Sequence, residues 1–95
     1  MFIVLLKFSQ NKGSMGQHLA GHKTWLKEGF ENGVFLLAGS IKPEGGGGIV
    51  AHNTSFEELR SFVNKDPFVA ENVVQAEIIE IEPSRTDDRL DFLRR

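Results

Sequence analysis

Cysteine is absent from all 95 residues. Without a thiol the chain has no disulfide, no thiolate nucleophile and no Cys-based metal site, and it suits a reducing compartment. An excess of basic charge is missing too. Eleven Lys and Arg stand against 13 Asp and Glu, for a formal net charge of −2. That balance leaves no electrostatic footprint for a nucleic acid or an anionic membrane. Nor is there a long apolar run. The opening Met1-Phe2-Ile3-Val4-Leu5-Leu6 is interrupted by Lys7. It has no basic leader and is far too short to span a bilayer, so it reads as a buried strand. We therefore expect a cytoplasmic protein with no nucleic-acid or membrane partner. The phosphate-binding fingerprints also fail. Gly45 to Gly48 are consecutive, but no Lys-Ser/Thr pair follows them and no helix opens there.

What is present reads as one small domain, whose own core gives limited stability. Phe2 to Phe8 is apolar on both faces, as a central strand would be. Gln10 to Gly16 is a polar loop. A helix is expected from about Met15 to Asn32, with Leu19, Leu26 and Phe30 on one stripe and Asn32-Gly33 as its stop. Val34 to Ala38 and Gly48 to His52 read as strands joined by a flexible glycine-rich hairpin containing Pro43. Ser55-Phe56-Glu57-Glu58 matches the capping-box pattern. The second helix should face Phe56, Leu59, Phe62 and Val63 inward and end near Lys65, because Asp66 precedes Pro67. Val73 to Ile81 is the last strand.

The order β-α-β-β-α-β is the split, ferredoxin-like pattern, an α+β domain with both helices on one face of a four-stranded antiparallel sheet. It occupies residues 1–83. Residues 84–95 form a tail that alternates charge with Leu90, Phe92 and Leu93, a short helix or a frayed end. The other sheet face should be apolar, since Ile3 and Leu5 lie opposite Phe2, Val4, Leu6 and Phe8. Such a face usually marks an interface, and sheet-to-sheet pairing into a homodimer is the simplest cover.

His22 is the most informative residue for chemistry. It lies on the apolar side of the first helix, near Leu19 and Leu26. Two readings stand: a core histidine satisfied by a hydrogen bond, or a general acid/base at the rim of a pocket between helix and sheet. Asp66 is its natural partner and would hold the imidazole in one tautomer. Asp66 also reads as a helix N-cap before Pro67. The two roles are compatible, because a carboxylate has two oxygens. His18 and His22 have the i, i+4 spacing that places two imidazoles on one metal, but Gly16, Gln17 and Lys23 offer no further good ligand. We expect no metal there. His52 reads as an ordinary residue at a strand end. Gly39-Ser40 ends the second strand, either as a plain exit into the loop or as a site where the Ser40 hydroxyl or a free backbone N–H holds a substrate oxygen.

Taken together, these pieces resemble the YciI-like (YCII-related) family. The matching residues are His22, the segment from Glu28-Gly29 to Leu36-Leu37-Ala38-Gly39-Ser40, the Ser55-Phe56-Glu57-Glu58 helix start, and Asp66-Pro67-Phe68. The resemblance covers about residues 1–83 and implies a dimeric α+β-barrel fold of ferredoxin-like type. It also implies a His–Asp pair in a cleft, falling on His22 and Asp66. The family includes an enzyme that removes chloride from a chlorinated hydroxyquinol. Two departures stand out. Leu19 occupies a place where the family often has arginine, which argues against an anionic substrate, and Ser40 replaces a common proline.

Two functions follow as expectations. The first is a cofactor-free acid/base enzyme of lyase, isomerase or hydrolase-like type, acting on a small organic substrate. Its catalytic residues would be His22 and Asp66, with Ser40, Gly39 and Phe68 binding substrate. The second is a non-catalytic module that binds a small ligand and in which the same pair is structural. RNA recognition, which shares this strand order, is disfavoured. Gly48-Ile49-Val50-Ala51-His52 lacks the stacking aromatics that it needs.

Overall fold

The computed structural model describes residues 1–94. Four strands, β1 (Phe2–Phe8), β2 (Phe35–Ser40), β3 (Gly47–Ala51) and β4 (Val74–Glu80), form one antiparallel sheet. Their spatial order is β2-β3-β1-β4. The long helix α1 (Met15–Glu31), the shorter α2 (Phe56–Val63) and a one-turn α3 (Pro67–Ala70) complete the domain. This is the expected ferredoxin-like α+β fold, with α3 added between α2 and β4.

Strand alternation divides the apolar residues between two faces. Phe2, Val4 and Leu6 of β1, Ile49 and Ala51 of β3, Phe35 of β2 and Val74 of β4 turn to the helices and are buried. Leu59 and Val63 of α2 and Trp25 of α1 close the core over them. The opposite face carries Ile3, Leu5, Val50, Leu37 and Ile79, in register across the four strands. α1 and α2 pack on the other side, and Leu37 is 56% exposed.

Several local expectations are corrected. The Leu19–Leu26–Phe30 stripe is not the buried side of α1: Leu19 and Phe30 are 39% and 43% exposed, while Trp25 and Gly29 are buried. The helix is rolled by roughly 100° relative to that stripe at 100° per residue. The reason is Trp25. Its ring fills the space under α1, with Phe35 and Phe62 at 5.2 Å, and its Nε1–H donates to the Phe62 carbonyl at 2.8 Å. Phe56, expected inward, is 39% exposed, because α2 buries only Leu59 and Val63 fully.

β2 runs on through Ala38 to Ser40, with a register irregularity between Phe35 and Leu37. Gly47 and Gly48 belong to β3, so only Gly45 and Gly46 of the glycine run lie in the loop. That loop is tied: Ile41 N–H donates to Gly46 O at 3.0 Å, and Gly45 N–H to Ile41 O at 2.9 Å. Gly46 has φ +88°, and a Cβ there would overlap the Leu6 carbonyl. Only glycine fits that turn without strain.

The tail ends in a 3₁₀ helix, Asp88–Arg94. It lies back on the domain, with the Phe92 ring edge-on to His52 at 5.4 Å. The Arg89 side chain and backbone both donate to Asp87, and these bonds hold its carboxyl below the ordinary value.

Candidate functional site

His22 and Asp66 are 44 residues apart in sequence and meet in the fold: His22 Nδ1 lies 2.8 Å from Asp66 Oδ1. The meeting has local causes at both ends. At one end, α1 presents His22 on its sheet-facing side, one turn before Trp25 and Leu26. At the other, Asp66 is held extended at φ −60° and ψ 123° by the proline that follows it, and it caps α3. Its Oδ1 accepts the Phe68 N–H at 3.1 Å as well as the His22 contact. One oxygen therefore serves both roles read from the sequence, the cap and the histidine partner. The other, Oδ2, is buried with no hydrogen-bond partner among the described residues.

Asp66 is fully buried and the His22 side chain is 13% exposed. A carboxylate only accepts, so neutral His22 must carry its proton on Nδ1 to make this bond. The Nε2 lone pair is then available, and among the described residues nothing hydrogen-bonds to it. The imidazole is also fixed in plane. The Phe68 ring stacks on it at 4.1 Å and 9°, and Trp25 lies 5.7 Å away on the core side.

A cleft of about 490 Å³ opens beside this histidine, between α1, α3 and the end of the β2–β3 hairpin. That size is ordinary for a small-molecule site. The cleft exists because the sheet carries small residues there. Ala38, Ser40 and Gly47 take helix-facing positions where bulkier side chains would meet α1. Leu6, Phe8, Leu19 and Leu26 give the walls their apolar character. Of the lining residues only His22 titrates, and none is Lys, Arg, Asp or Glu.

His22, Ser40, Gly39 and Phe68 all line this cleft, and Asp66 sits behind His22. Ile41 exchanges both its backbone bonds with the Gly45–Gly46 side. Alternation along the edge strand then turns the Ser40 N–H away from β3. That leaves the hydroxyl as the Ser40 donor on the cleft side. His18 is half-buried on α1 and does not line the cleft. No group of three or more His, Asp or Glu able to hold a metal ion occurs among the described residues. No helix among them is long and apolar enough to cross a membrane.

Sequence reasoning missed Met15, Leu19, Ala38 and Gly47 as lining residues. Leu19 carried a signal, as an apolar residue where the resembled family often has arginine, and Ala38 lies in the matching segment that ends at Ser40. Met15 and Gly47 are legible as lining only once α1 and the hairpin are folded together.

No protein-family model matches the chain, and no curated protein sequence matches it. Among solved structures, the chain is similar to 5-chloro-2-hydroxyhydroquinone dehydrochlorinase of Burkholderia phenoliruptrix AC1100, determined in complex with 2,5-dihydroxybenzoquinone. The match has a TM-score of 0.67 at 16% identity and covers 85% of this chain and 93% of that one. The two chains share a fold.

Proposed function

We propose that this protein is a cofactor-free acid/base enzyme of the YciI-like kind, acting on a small, uncharged, ring-shaped or enolisable organic compound. The observation that carries this reading is the 2.8 Å His22–Asp66 contact at the wall of an otherwise apolar cleft. Nε2 of His22 takes a proton from a substrate O–H or C–H. The resulting imidazolium is held against the Asp66 carboxylate, and the proton is returned at a neighbouring atom or to a leaving group. The Ser40 hydroxyl faces substrate oxygen. Apolar walls keep water away and so strengthen both interactions. With no cationic side chain in the lining, the cleft favours a substrate that binds uncharged. The similar fold of a dehydrochlorinase makes chlorinated hydroxyquinols the first compounds to test. The sheet face turned away from α1 and α2 carries Ile3, Leu5, Leu37, Val50 and Ile79, apolar surface that a second copy of the chain would cover, giving a homodimer.

The test is chloride release from 5-chloro-2-hydroxyhydroquinone, with deuterium exchange from D₂O into a panel of hydroxyquinols and enolisable ketones. His22→Gln should lower turnover by roughly 10²–10⁴ with the fold intact. A folded variant that keeps wild-type turnover would refute the proposal.

A second reading is ligand binding without turnover. It is favoured by the absence of any second titratable group in the lining. A wild-type protein that binds the panel but neither exchanges deuterium nor releases chloride would establish it.

A further inference from the structure

The three residues Asp66-Pro67-Phe68 touch α1 as a unit. Asp66 Oδ1 takes the His22 Nδ1 contact, Phe68 stacks on the His22 ring, and Pro67 lies against Gly21, the residue just before His22. A Cβ built on Gly21 would stand 3.0 Å from Pro67 Cγ and 3.6 Å from its Cβ. The first distance is tighter than ordinary van der Waals contact, and the atom it meets belongs to a closed ring rather than to the free end of a flexible chain. A glycine deep inside a 17-residue helix is otherwise unfavourable, because it lowers helix stability relative to alanine.

We propose that Gly21 is a positioning residue for the His22–Asp66 pair. Its missing side chain lets α1 and α3 approach closely enough for His22 Nδ1 to reach the carboxylate. A Cβ at position 21 requires Pro67 to give way by a few tenths of an ångström. Asp66 and Phe68 flank Pro67 in the chain, so they move with it. The hydrogen bond then lengthens and the imidazole loses its fixed tautomer. This inference builds on the proposed role of the pair, but the contact itself can be measured without any substrate.

Two other glycines of α1 serve as references. Gly16 has nothing within 4 Å of a built Cβ, whereas at Gly29 a Cβ would overlap the Phe35 ring in the core. Gly16→Ala therefore changes helix composition without touching α3.

The experiment is nitrogen-15 NMR of the histidine rings in the full chain, for wild type, Gly16→Ala, Gly21→Ala, Pro67→Ala and the Gly21→Ala/Pro67→Ala double variant. The wild type and Gly16→Ala should show neutral His22 with its proton on Nδ1. Gly21→Ala should shift His22 toward the mixture of tautomers found in a solvated imidazole. The double variant lacks the Pro67 Cγ and should regain the Nδ1–H form, a rescue that a general loss of stability would not produce. If Gly21→Ala keeps a single Nδ1–H tautomer, Gly21 has no positioning role. A double variant that fails to regain that tautomer overturns the inference as well. A wild type without the Nδ1–H form would overturn the pair itself, which is a different result.

Discussion

Replacing Asp66 by alanine removes two hydrogen bonds that end on one oxygen. The first caps α3 through the Phe68 N–H, and losing such a cap costs about 1 kcal/mol. The second holds His22 Nδ1, and a bond to a charged group contributes about 2 kcal/mol. Against this stands the buried, unpartnered Oδ2, whose desolvation the native protein bears and alanine removes. That relief offsets about 1 kcal/mol. The net loss is then about 2 kcal/mol, a fall of roughly 8–16 °C in melting temperature for a domain of this size. Thermal unfolding followed by circular dichroism measures it. Asp66→Asn keeps the Oδ1 acceptor and should lose about half as much. A double-mutant cycle with His22→Ala isolates the pair and should give a coupling of about 1–2 kcal/mol. A loss below about 0.5 kcal/mol for Asp66→Ala, or a coupling of zero, would refute the reasoning, since the contact would then carry no free energy in solution.

Three further outcomes are expected. Ser55→Ala removes the hydroxyl that accepts the Glu58 N–H at 3.1 Å and should destabilise the protein by about 1 kcal/mol in urea titrations. Leu37→Glu places a charge on the edge strand β2, on the sheet face turned away from α1 and α2. It should convert the proposed dimer to a monomer in light scattering without lowering helix content; a mass unchanged from wild type would count against that interface. Gly47→Val adds bulk to the cleft floor, where a Cβ meets only ordinary contacts at 3.6–3.9 Å. The variant should fold but lose affinity for ring-shaped ligands, as read by quenching of the single tryptophan, Trp25.

Much of the site could be read from the sequence because its signals are local. The Ser55–Glu58 capping box needs only four residues to be recognised, and the helix carries it with both reciprocal bonds made. Asp66 as a cap follows from the proline beside it. Helical spacing puts His22 beside the apolar stripe, and with α1 rolled it stands at the cleft wall, its side chain 13% exposed. The inward side of α1 was misread because spacing gives a helix a stripe but does not weigh one large ring against three smaller side chains. Trp25 won that competition through its packing with Phe35 and Phe62 and its bond to the Phe62 carbonyl.

By itself, then, the sequence determined the order of strands and helices, the caps and stops, and the apolar character of both faces of β1. Each of these depends on residues within a turn or a pleat of one another. Tertiary structure alone decided that a single oxygen of Asp66 serves both cap and histidine, that His22 presents Nε2 rather than Nδ1 as its open nitrogen, and that the small residues Ala38, Ser40 and Gly47 leave a cleft beneath Leu19. Those facts rest on contacts between segments tens of residues apart, whose distances are set by how Trp25 seats the first helix and how closely Gly21 lets Pro67 approach.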